Sequence, residues 1–241
     1  MSAIIYLGPS APVSEARALL DADYRPPVRH GDIWRALADR PRVIGIADGV
    51  FEQTPAVWHK EILAALDAGV HVFGAASMGA LRAAELHPFG MRGVGPIFEA
   101  FRDGTWTDDD EVALAHGPAE TGYAALSLPM ANVRFTVEAA RRAGVIDDGS
   151  AQALIGAAKA IFYADRRWRT VDAAATVSPQ ALEAFKAWRE TGCVDQKRAD
   201  AVAMVASIRA FLAEDPPPFS PRFVYERTDL AEHARRIALG G

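Results

Sequence analysis

Short apolar segments alternate with helix-forming segments over the first ninety residues, and this alternation limits the folds open to the chain. Three segments predict buried strands, at residues 3–7, 42–47 and 70–73. Each is followed by a helical pattern, and the side chains Trp58, Ile62 and Leu66 repeat at the four-residue spacing of an amphipathic helix. Apolar strands joined by helices predict an α/β fold, with an N-terminal parallel sheet flanked by helices.

Strand patterns disappear after about residue 90. Six helical patterns follow, separated by Gly, Asp or Pro, at residues 94–102, 118–143, 150–165, 178–190, 195–213 and 227–238. The fold class is therefore α/β with a helical C-terminal half. We predict an α/β core over residues 1–117 and a helical region over 118–241.

Composition and charge exclude several classes of protein. The net charge of −5 argues against a nucleic-acid binder, which needs a basic surplus. No apolar run reaches the roughly 18 residues of a membrane helix, and the N-terminus lacks the basic region of a signal peptide. Cys193 is the single cysteine, so no internal disulfide forms. These features predict a cytoplasmic protein that binds no membrane.

Residues 74–86 contain the most informative chemical pattern. The strand ending at Phe73 leads through small residues to Ser77, Gly79 and a strongly helix-forming tail. A strand–turn–helix order presents a serine hydroxyl at a helix N-terminus, where backbone N–H groups stabilise an oxyanion. The spacing Gly-x-x-Ser-x-Gly resembles a nucleophile elbow without matching it. Two interpretations stay open, in which Ser77 is a nucleophile or only caps its helix.

The carboxyl ends of parallel strands share one edge of a sheet, so three loops are expected there. They are Gly8-Pro9-Ser10, Asp48-Gly49-Val50-Phe51 and Ala75-Ala76-Ser77. The helix that begins near Pro55 places His59 and Lys60 at the same edge. Lys60 is one of only four lysines beside 22 arginines. A lysine is either a solvated surface residue or, when desolvated, a general base for a serine.

Other polar clusters have simpler interpretations. Residues 108–111 (Asp-Asp-Asp-Glu) and His116 suggest metal ligands, but an acidic first helical turn accounts for the cluster, so we predict no metal. The glycine-rich residues 90–95 predict a loop. Arg82 and Glu85 are spaced to pair on one helix face, and Arg82 is one turn from Ser77, where it is suited to a carboxylate.

Several segments together resemble the TfuA family in the right order over residues 3–120, with the run from Ser77 to Glu85 (Ser-Met-Gly-Ala-Leu-Arg-Ala-Ala-Glu) the most specific. TfuA proteins accompany YcaO enzymes, which replace a peptide amide oxygen by sulfur. The resemblance implies a hydrolase that releases sulfide from a thiocarboxylated ubiquitin-like sulfur-carrier protein for a YcaO partner and its peptide substrate, without a cofactor. It assigns Ser77 and Lys60 as the Ser–Lys pair, with Lys159 in reserve.

In that chemistry Ser77 attacks the thiocarboxylate, neutral Lys60 takes its proton, and the N–H groups of Met78 and Gly79 hold the oxyanion. The expected substrate-binding residues are Gly8, Ser10, Asp48, Gly49, His59, Arg82 and Gly93. Two alternatives remain: a non-catalytic adaptor that binds YcaO and its peptide, and a general Ser–Lys acyl hydrolase that acts alone.

Overall fold

Five parallel strands form one sheet in the computed structural model, which describes residues 2–50 and 54–240. In sheet order they are β2, β1, β3, β4 and β5. The bounds are β1 Ala3–Tyr6, β2 Asp23–Arg25, β3 Val43–Ile46, β4 His71–Ala75 and β5 Arg92–Val94. The three central strands are buried along their whole length and correspond to the three apolar segments. The predicted parallel sheet is confirmed.

The two edge strands were not predicted from the sequence. β2 is half-buried and polar, and β5 lies within the glycine-rich residues 90–95, for which the prediction of a loop was wrong. Both strands have three residues, and each pairs with a single neighbour. An edge strand needs no continuous apolar run, because one of its sides faces away from the sheet.

Helices pack around this sheet, and the chain divides into two compact units. Unit 1 comprises Met1–Thr107 and Arg198–Gly241, and unit 2 comprises Asp108–Lys197. The helices in and around unit 1 are α1 Val13–Leu19, α2 Asp32–Ala36, α3 His59–Asp67, α4 Met78–Leu86, α5 Pro96–Arg102, α10 Gln196–Ala213 and α11 Asp229–Ala238. Along residues 2–50 and 54–240, no helix combines the length and the apolar character needed to cross a bilayer.

The core of unit 1 depends on α10, although this helix is far from the strands in the sequence. Ala201, Met204, Val205 and Ile208 are fully buried and pack in one cluster with β1, including Ile5. Their spacing of three and four residues places them on one face of the helix. The expected ranges were 1–117 and 118–241. Because the apolar face of α10 covers the sheet, residues 198–241 belong instead to the same unit as the strands.

Unit 2 is built from helices, apart from loops and one isolated bridge between His116 and Ala125. Its helices are α6 Met130–Arg142, α7 Asp148–Ala160, α8 Trp168–Ala174 and α9 Pro179–Gly192. Val133, Val137, Leu154 and Phe185 are buried in its core. The long helix expected from residue 118 begins only at Met130, because Pro129 immediately before it lacks an amide N–H and fits only a helix start. The helical C-terminal half is otherwise confirmed.

Candidate functional site

The strand order creates a topological switch point between β1 and β3. From β1 the chain first adds β2 on one side and then β3 on the other. Ligands of open α/β sheets bind in the crevice that such a reversal leaves at the carboxyl ends of the strands. The loops that follow β1 and β3 meet at this crevice, and they contain the predicted residues Gly8, Ser10 and Asp48.

The buried carboxylate of Asp48 joins these two loops. Its Oδ2 accepts the N–H groups of Gly8, at 2.8 Å, and Ser10, at 3.0 Å, and its Oδ1 accepts the Ser10 hydroxyl at 2.6 Å. Only 1% of Asp48 is exposed. The structure thus brings the three predicted residues together, and Asp48 fixes the shape of the loop that follows β1.

Two glycines bring the loop after β3 against the start of α4. A β-carbon added at Gly49 would lie 2.7 Å from Cβ of Met78, and one added at Gly79 would overlap the carbonyl oxygen of Ile46. Neither position has room for a side chain. The predicted residues Gly49 and Gly79 therefore place the helix that follows Ser77 directly beside the end of β3.

Ser77 lies in a strained turn between β4 and α4. Ala76 before it adopts φ +65°, a left-handed conformation that costs a non-glycine residue about 1–3 kcal/mol. Ser77 itself has φ −129° and ψ −123°, and its N–H donates to the Ala75 carbonyl at 2.7 Å. Ser77 is the N-cap residue of α4, yet its hydroxyl makes no capping hydrogen bond to the described first turn. The interpretation of Ser77 as a simple cap therefore loses its basis.

The predicted oxyanion donors differ in their hydrogen bonding. The Gly79 N–H already donates to the carbonyl of Ala47, at 3.2 Å, and so ties α4 to the end of β3. The next amide, that of Ala80, donates back to the Ser77 carbonyl at 2.9 Å. The role of Gly79 visible here is structural. Met78 stays a predicted donor, since its amide is the first of the helix.

His59 and Arg82 converge on one carboxylate. Nε2 of His59 and Nη1 of Arg82 each lie 2.8 Å from Oε2 of Glu85, and Arg82 also donates to the carbonyl of Val57 at 3.0 Å. Burial raises the pKa of Glu85, but the hydrogen bonds from His59 and Arg82 outweigh this effect and lower it. The predicted pairing of Arg82 with Glu85 is confirmed.

A buried glutamate positions the start of α3, from which His59 and Lys60 project. The carboxylate of Glu61 contacts Nδ1 of His30 at 2.9 Å and accepts the N–H groups of Gly31, at 2.8 Å, and Trp58, at 3.1 Å. Glu61 is fully buried, and burial raises its pKa despite these donors. No local pattern predicted this contact, because His30 and Glu61 are distant along the chain.

Lys60, the predicted base, is held by the C-terminal part of unit 1. Its Nζ donates to the carbonyl oxygen of Glu226 at 2.8 Å and lies 5.5 Å from the centre of the Tyr225 ring. Within the described chain no hydrogen bond joins Lys60 to Ser77. The structure places both residues in unit 1 but does not bring their functional groups into direct contact.

Lys159, the reserve candidate, lies in unit 2 among acidic side chains. Its amine contacts Asp110, Glu111 at 2.9 Å and Asp108 at 3.1 Å. Burial lowers the pKa of Lys159, but the hydrogen bonds to the three carboxylates outweigh burial and raise it. A raised pKa favours the charged ammonium, which is unsuited to accept a proton from serine.

The acidic cluster is an ion-pair network, not only an acidic helical turn. The fully buried guanidinium of Arg166 donates to Asp110 at 2.9 Å, and Arg134 makes two hydrogen bonds of 2.8 Å with Glu111. Together with Lys159, these cations neutralise the carboxylates that metal binding would need. His116 instead contacts the ring of Tyr123 and a neighbouring carbonyl.

The glycine-rich segment packs tightly inside unit 1. A β-carbon added at the predicted substrate-binding residue Gly93 would overlap the ring of Phe98. Gly95 has φ +93°, and the carboxylate of the buried residue Asp200 fills the space beside it, accepting the N–H of Ile97 at 3.0 Å. Here Gly93 serves packing against Phe98, and substrate contact at this residue stays a prediction.

Sequence reasoning missed Lys197, the most deeply buried lysine among the described residues. Only 2% of Lys197 is exposed, and its Nζ donates to the carbonyl of Val112 at 2.8 Å. Its backbone N–H donates to the side chain of Asn132 at 3.1 Å. The scarcity of lysine, which drew attention to Lys60, applies equally to Lys197.

In a comparison with known proteins, one family model matches this part of the chain. A family model described as TfuA-like protein matches residues 48–167, about half of the sequence. The matched range includes Asp48, Lys60, Ser77, Arg82 and Lys159. No curated protein matches the chain.

Proposed function

Because this chain belongs to the TfuA-like family, we propose that it is an accessory enzyme of peptide backbone thioamidation. In this role it hydrolyses a thiocarboxylated sulfur-carrier protein and supplies sulfide to a YcaO partner. The observation that carries the proposal is the turn at Ser77. A buried serine follows a left-handed residue at a strand–helix junction, inside the matched range.

The proposed reaction is acyl transfer to Ser77 followed by hydrolysis. The serine oxygen attacks the thiocarboxylate carbon, and a base takes the hydroxyl proton. The carbon–sulfur bond then breaks, and the sulfur leaves with that proton as sulfide, so that the carrier is esterified to Ser77. Water cleaves the ester and restores Ser77. In total, one thiocarboxylate and one water give one carboxylate and one hydrogen sulfide.

The groups around the turn support the charges that this reaction develops. The N-terminus of α4 directs its backbone dipole at the position of the oxyanion, with the Met78 N–H as the proposed donor. Arg82 lies one helical turn after Ser77 and is partly neutralised by Glu85. We propose that Arg82 binds the anionic end of the carrier, a role that requires Arg82 to exchange its ion pair with Glu85 for one with the carrier.

The proposed base is Lys60. Its bond to the Glu226 carbonyl must open before its amine accepts a proton. The chain has only four lysines, so a complete scan is practical. Lys186 is the matched surface control, since among the described residues it pairs with nearby Glu183 on its own helix, α9.

The decisive assay measures sulfide released from a thiocarboxylated carrier by the full-length protein. Ser77→Ala should lower the rate at least about a thousandfold, as for other serine nucleophiles. Among Lys60→Ala, Lys159→Ala, Lys186→Ala and Lys197→Ala, we expect a comparable loss only for Lys60→Ala. Lys60→Arg should not restore the rate, because arginine stays protonated. A Ser77→Ala variant with the wild-type rate would refute the enzyme, and full activity of Lys60→Ala would reassign the base.

An adaptor that binds YcaO and its peptide is the second candidate. Large apolar side chains near the C-terminus are exposed, notably Leu230, at 68%, and Ile237, at 61%, on α11. Exposed apolar groups on one helix are suited to docking a protein. Thioamidation by YcaO with each sulfur source distinguishes the roles. If the protein is only an adaptor, the wild type and the Ser77→Ala variant support thioamidation equally well, whether free sulfide or the carrier supplies the sulfur. For the enzyme, Ser77→Ala abolishes thioamidation only when the carrier supplies sulfur.

A further inference from the structure

His30 is a partly exposed histidine that is held by a buried carboxylate. It lies in the loop between β2 and α2, and its side chain is 22% exposed. Its Nδ1 lies 2.9 Å from Oε1 of Glu61, a residue that is fully buried. Both oxygens of this carboxylate already accept a backbone N–H, one from Gly31 and one from Trp58, so Glu61 acts as an acceptor towards His30 as well. Nδ1 of His30 therefore carries the hydrogen.

The second ring nitrogen of His30 is an accessible acceptor. With the hydrogen on Nδ1, Nε2 has a lone pair, and it forms no hydrogen bond to a described residue. In the described chain, the polar side-chain atoms that are buried without a partner are Nε1 of Trp34 and Nδ1 of His71. Nε2 of His30 is not among them, so solvent reaches it. A neutral imidazole that a carboxylate orients through Nδ1, with Nε2 open, has the arrangement of a general base.

Aromatic packing fixes the plane of this imidazole. The ring of Trp58 lies 4.3 Å from it between centroids, and the ring of Trp34 contacts it edge to face at 5.6 Å. The backbone of His30 is also held, because its N–H donates to the carbonyl of Pro55 at 3.1 Å. The two indole rings and the carboxylate of Glu61 together leave Nε2 in one orientation, which a catalytic base requires.

The loop that carries His30 borders the turn at Ser77 through Gly49. Val28 forms a parallel bridge with Gly49, at the carboxyl end of β3. A β-carbon added at Gly49 would lie 3.2 Å from the side chain of Val28 and 2.7 Å from that of Met78, the residue after Ser77. Gly49 therefore adjoins both segments. His30 follows Val28 by two residues, which span at most about 7 Å of backbone, so His30 and Ser77 share the carboxyl edge of the sheet.

We propose that His30 activates the water that cleaves the ester at Ser77, with Glu61 as its positioning residue. The inference rests on the proposed hydrolysis and assigns its second half. Water attacks the ester carbon while Nε2 takes one of its protons. The bond between this carbon and the serine oxygen then breaks, and Nε2 returns the proton to that oxygen. The carboxylic acid of the carrier loses its own proton to solvent, so the imidazole ends the cycle neutral.

The resting protein offers its two proton acceptors in different states. The amine of Lys60 is engaged by the carbonyl of Glu226 and has to be released, whereas no hydrogen bond to a described residue has to open at Nε2 of His30. Lys60 thus serves the attack of Ser77, and His30 serves the attack of water. Variants of the two residues should therefore fail at different stages of one turnover.

The experiment follows single and repeated turnovers of the full-length protein with excess thiocarboxylated carrier. Sulfide is measured in the first turnover and at steady state, and the acid-quenched protein is weighed by mass spectrometry. A protein that carries the ester is heavier by the mass of the carrier less that of hydrogen sulfide. We expect His30→Gln to release the first equivalent of sulfide as the wild type does. Its steady-state rate should then fall about a hundredfold or more while the ester accumulates.

Other variants separate the two stages. Lys60→Ala should lose the first equivalent of sulfide itself and form no ester, whereas Glu61→Gln should accumulate the ester as His30→Gln does. His87→Gln is the matched control, because His87 is an exposed histidine just after α4 without a carboxylate partner among the described residues. It should keep the wild-type rate.

His30→Gln decides the inference even where Glu61→Gln fails to fold, because the side chain of His30 is partly exposed. A wild-type steady-state rate in His30→Gln overturns the inference, and so does a slow rate without the ester or a slow first equivalent of sulfide. The failure of the proposed hydrolysis as a whole is read from another variant, since it would show as a wild-type rate in Ser77→Ala.

Discussion

Asp48 should be among the most sensitive positions in unit 1, because one buried carboxylate satisfies three donors from another loop. In Asp48→Ala the N–H groups of Gly8 and Ser10 lose their acceptor inside the protein. Each buried donor left without a partner costs about 1–3 kcal/mol. Since the Ser10 hydroxyl can rotate to another partner, we expect a total loss of about 3–5 kcal/mol in the free energy of unfolding.

Asp48→Asn separates hydrogen bonding from the loss of a side chain. The amide oxygen can replace Oδ2 and keep both backbone donors, and its NH₂ group can donate to the Ser10 hydroxyl in place of Oδ1. Only the charge assistance is lost, so we expect a cost of about 1–2 kcal/mol. Ser10→Ala removes one of the three bonds and should cost about 1 kcal/mol.

Urea unfolding followed by hydrogen exchange in β1 and β3 measures these differences in unit 1 alone, which matters because a chain with two units need not unfold in one step. The expected order of destabilisation is Asp48→Ala, then Asp48→Asn, then Ser10→Ala. A loss below about 1 kcal/mol for Asp48→Ala would refute the reasoning, because it would mean that the buried donors find water or other acceptors. Equal losses for alanine and asparagine would refute the assigned exchange of partners.

Three further predictions concern packing, a buried cation and pH. Gly79→Ala should lower the stability of the protein by more than about 3 kcal/mol or prevent folding. Gly156→Ala, in open space on α7, should instead stabilise the protein by up to about 1 kcal/mol. Thermal unfolding compares the two variants, and similar melting temperatures would contradict the packing argument. Arg166→Met should lower the stability of unit 2 by about 3–5 kcal/mol in urea, since it removes a buried guanidinium that donates to the partly exposed Asp110 and to the carbonyls of Ala158 and Ile161; a neutral effect would contradict this reasoning. The pKa of Glu85 is lowered, so its pairing stabilises the fold at pH values above the usual carboxyl pKa of 4.5, and this contribution is lost as the pH falls through the folded-state pKa. Arg82→Gln should raise the pKa of Glu85 in a carboxyl NMR titration, and an unchanged pKa would refute the pairing.

The central part of the fold was predictable because its signals are local. Strands β1, β3 and β4 are continuous apolar segments, and α4 begins at Met78 and ends at Leu86, as the sequence indicated. The turn at Ser77 was predictable for the same reason, since small residues occupy every position where the chain bends. The loss of the capping interpretation was not predictable, because it depends on backbone angles at Ala76 and Ser77.

Features that depend on distant partners were not predictable from local patterns. Lys60 was singled out from the sequence, but the residue that its amine contacts, Glu226, comes 166 residues later. A helix over residues 195–213 was predicted, whereas nothing in the sequence tells which surface it covers. Lys197 could have been considered on the same scarcity argument as Lys60, yet its burial is a property of the tertiary fold.

The return of α10 to the sheet has a consequence for protein synthesis. On the ribosome, strands β1 to β5 emerge first, then the whole of unit 2, and only afterwards the residues of α10 that complete the core around Ile5. Unit 2 is helical and contiguous in sequence, so its contacts form quickly and locally, while the nascent sheet keeps one apolar face uncovered. The strands that carry Ser77 therefore reach their final stability after most of the chain has been translated, and during that interval they are the segment most exposed to chaperones and to aggregation.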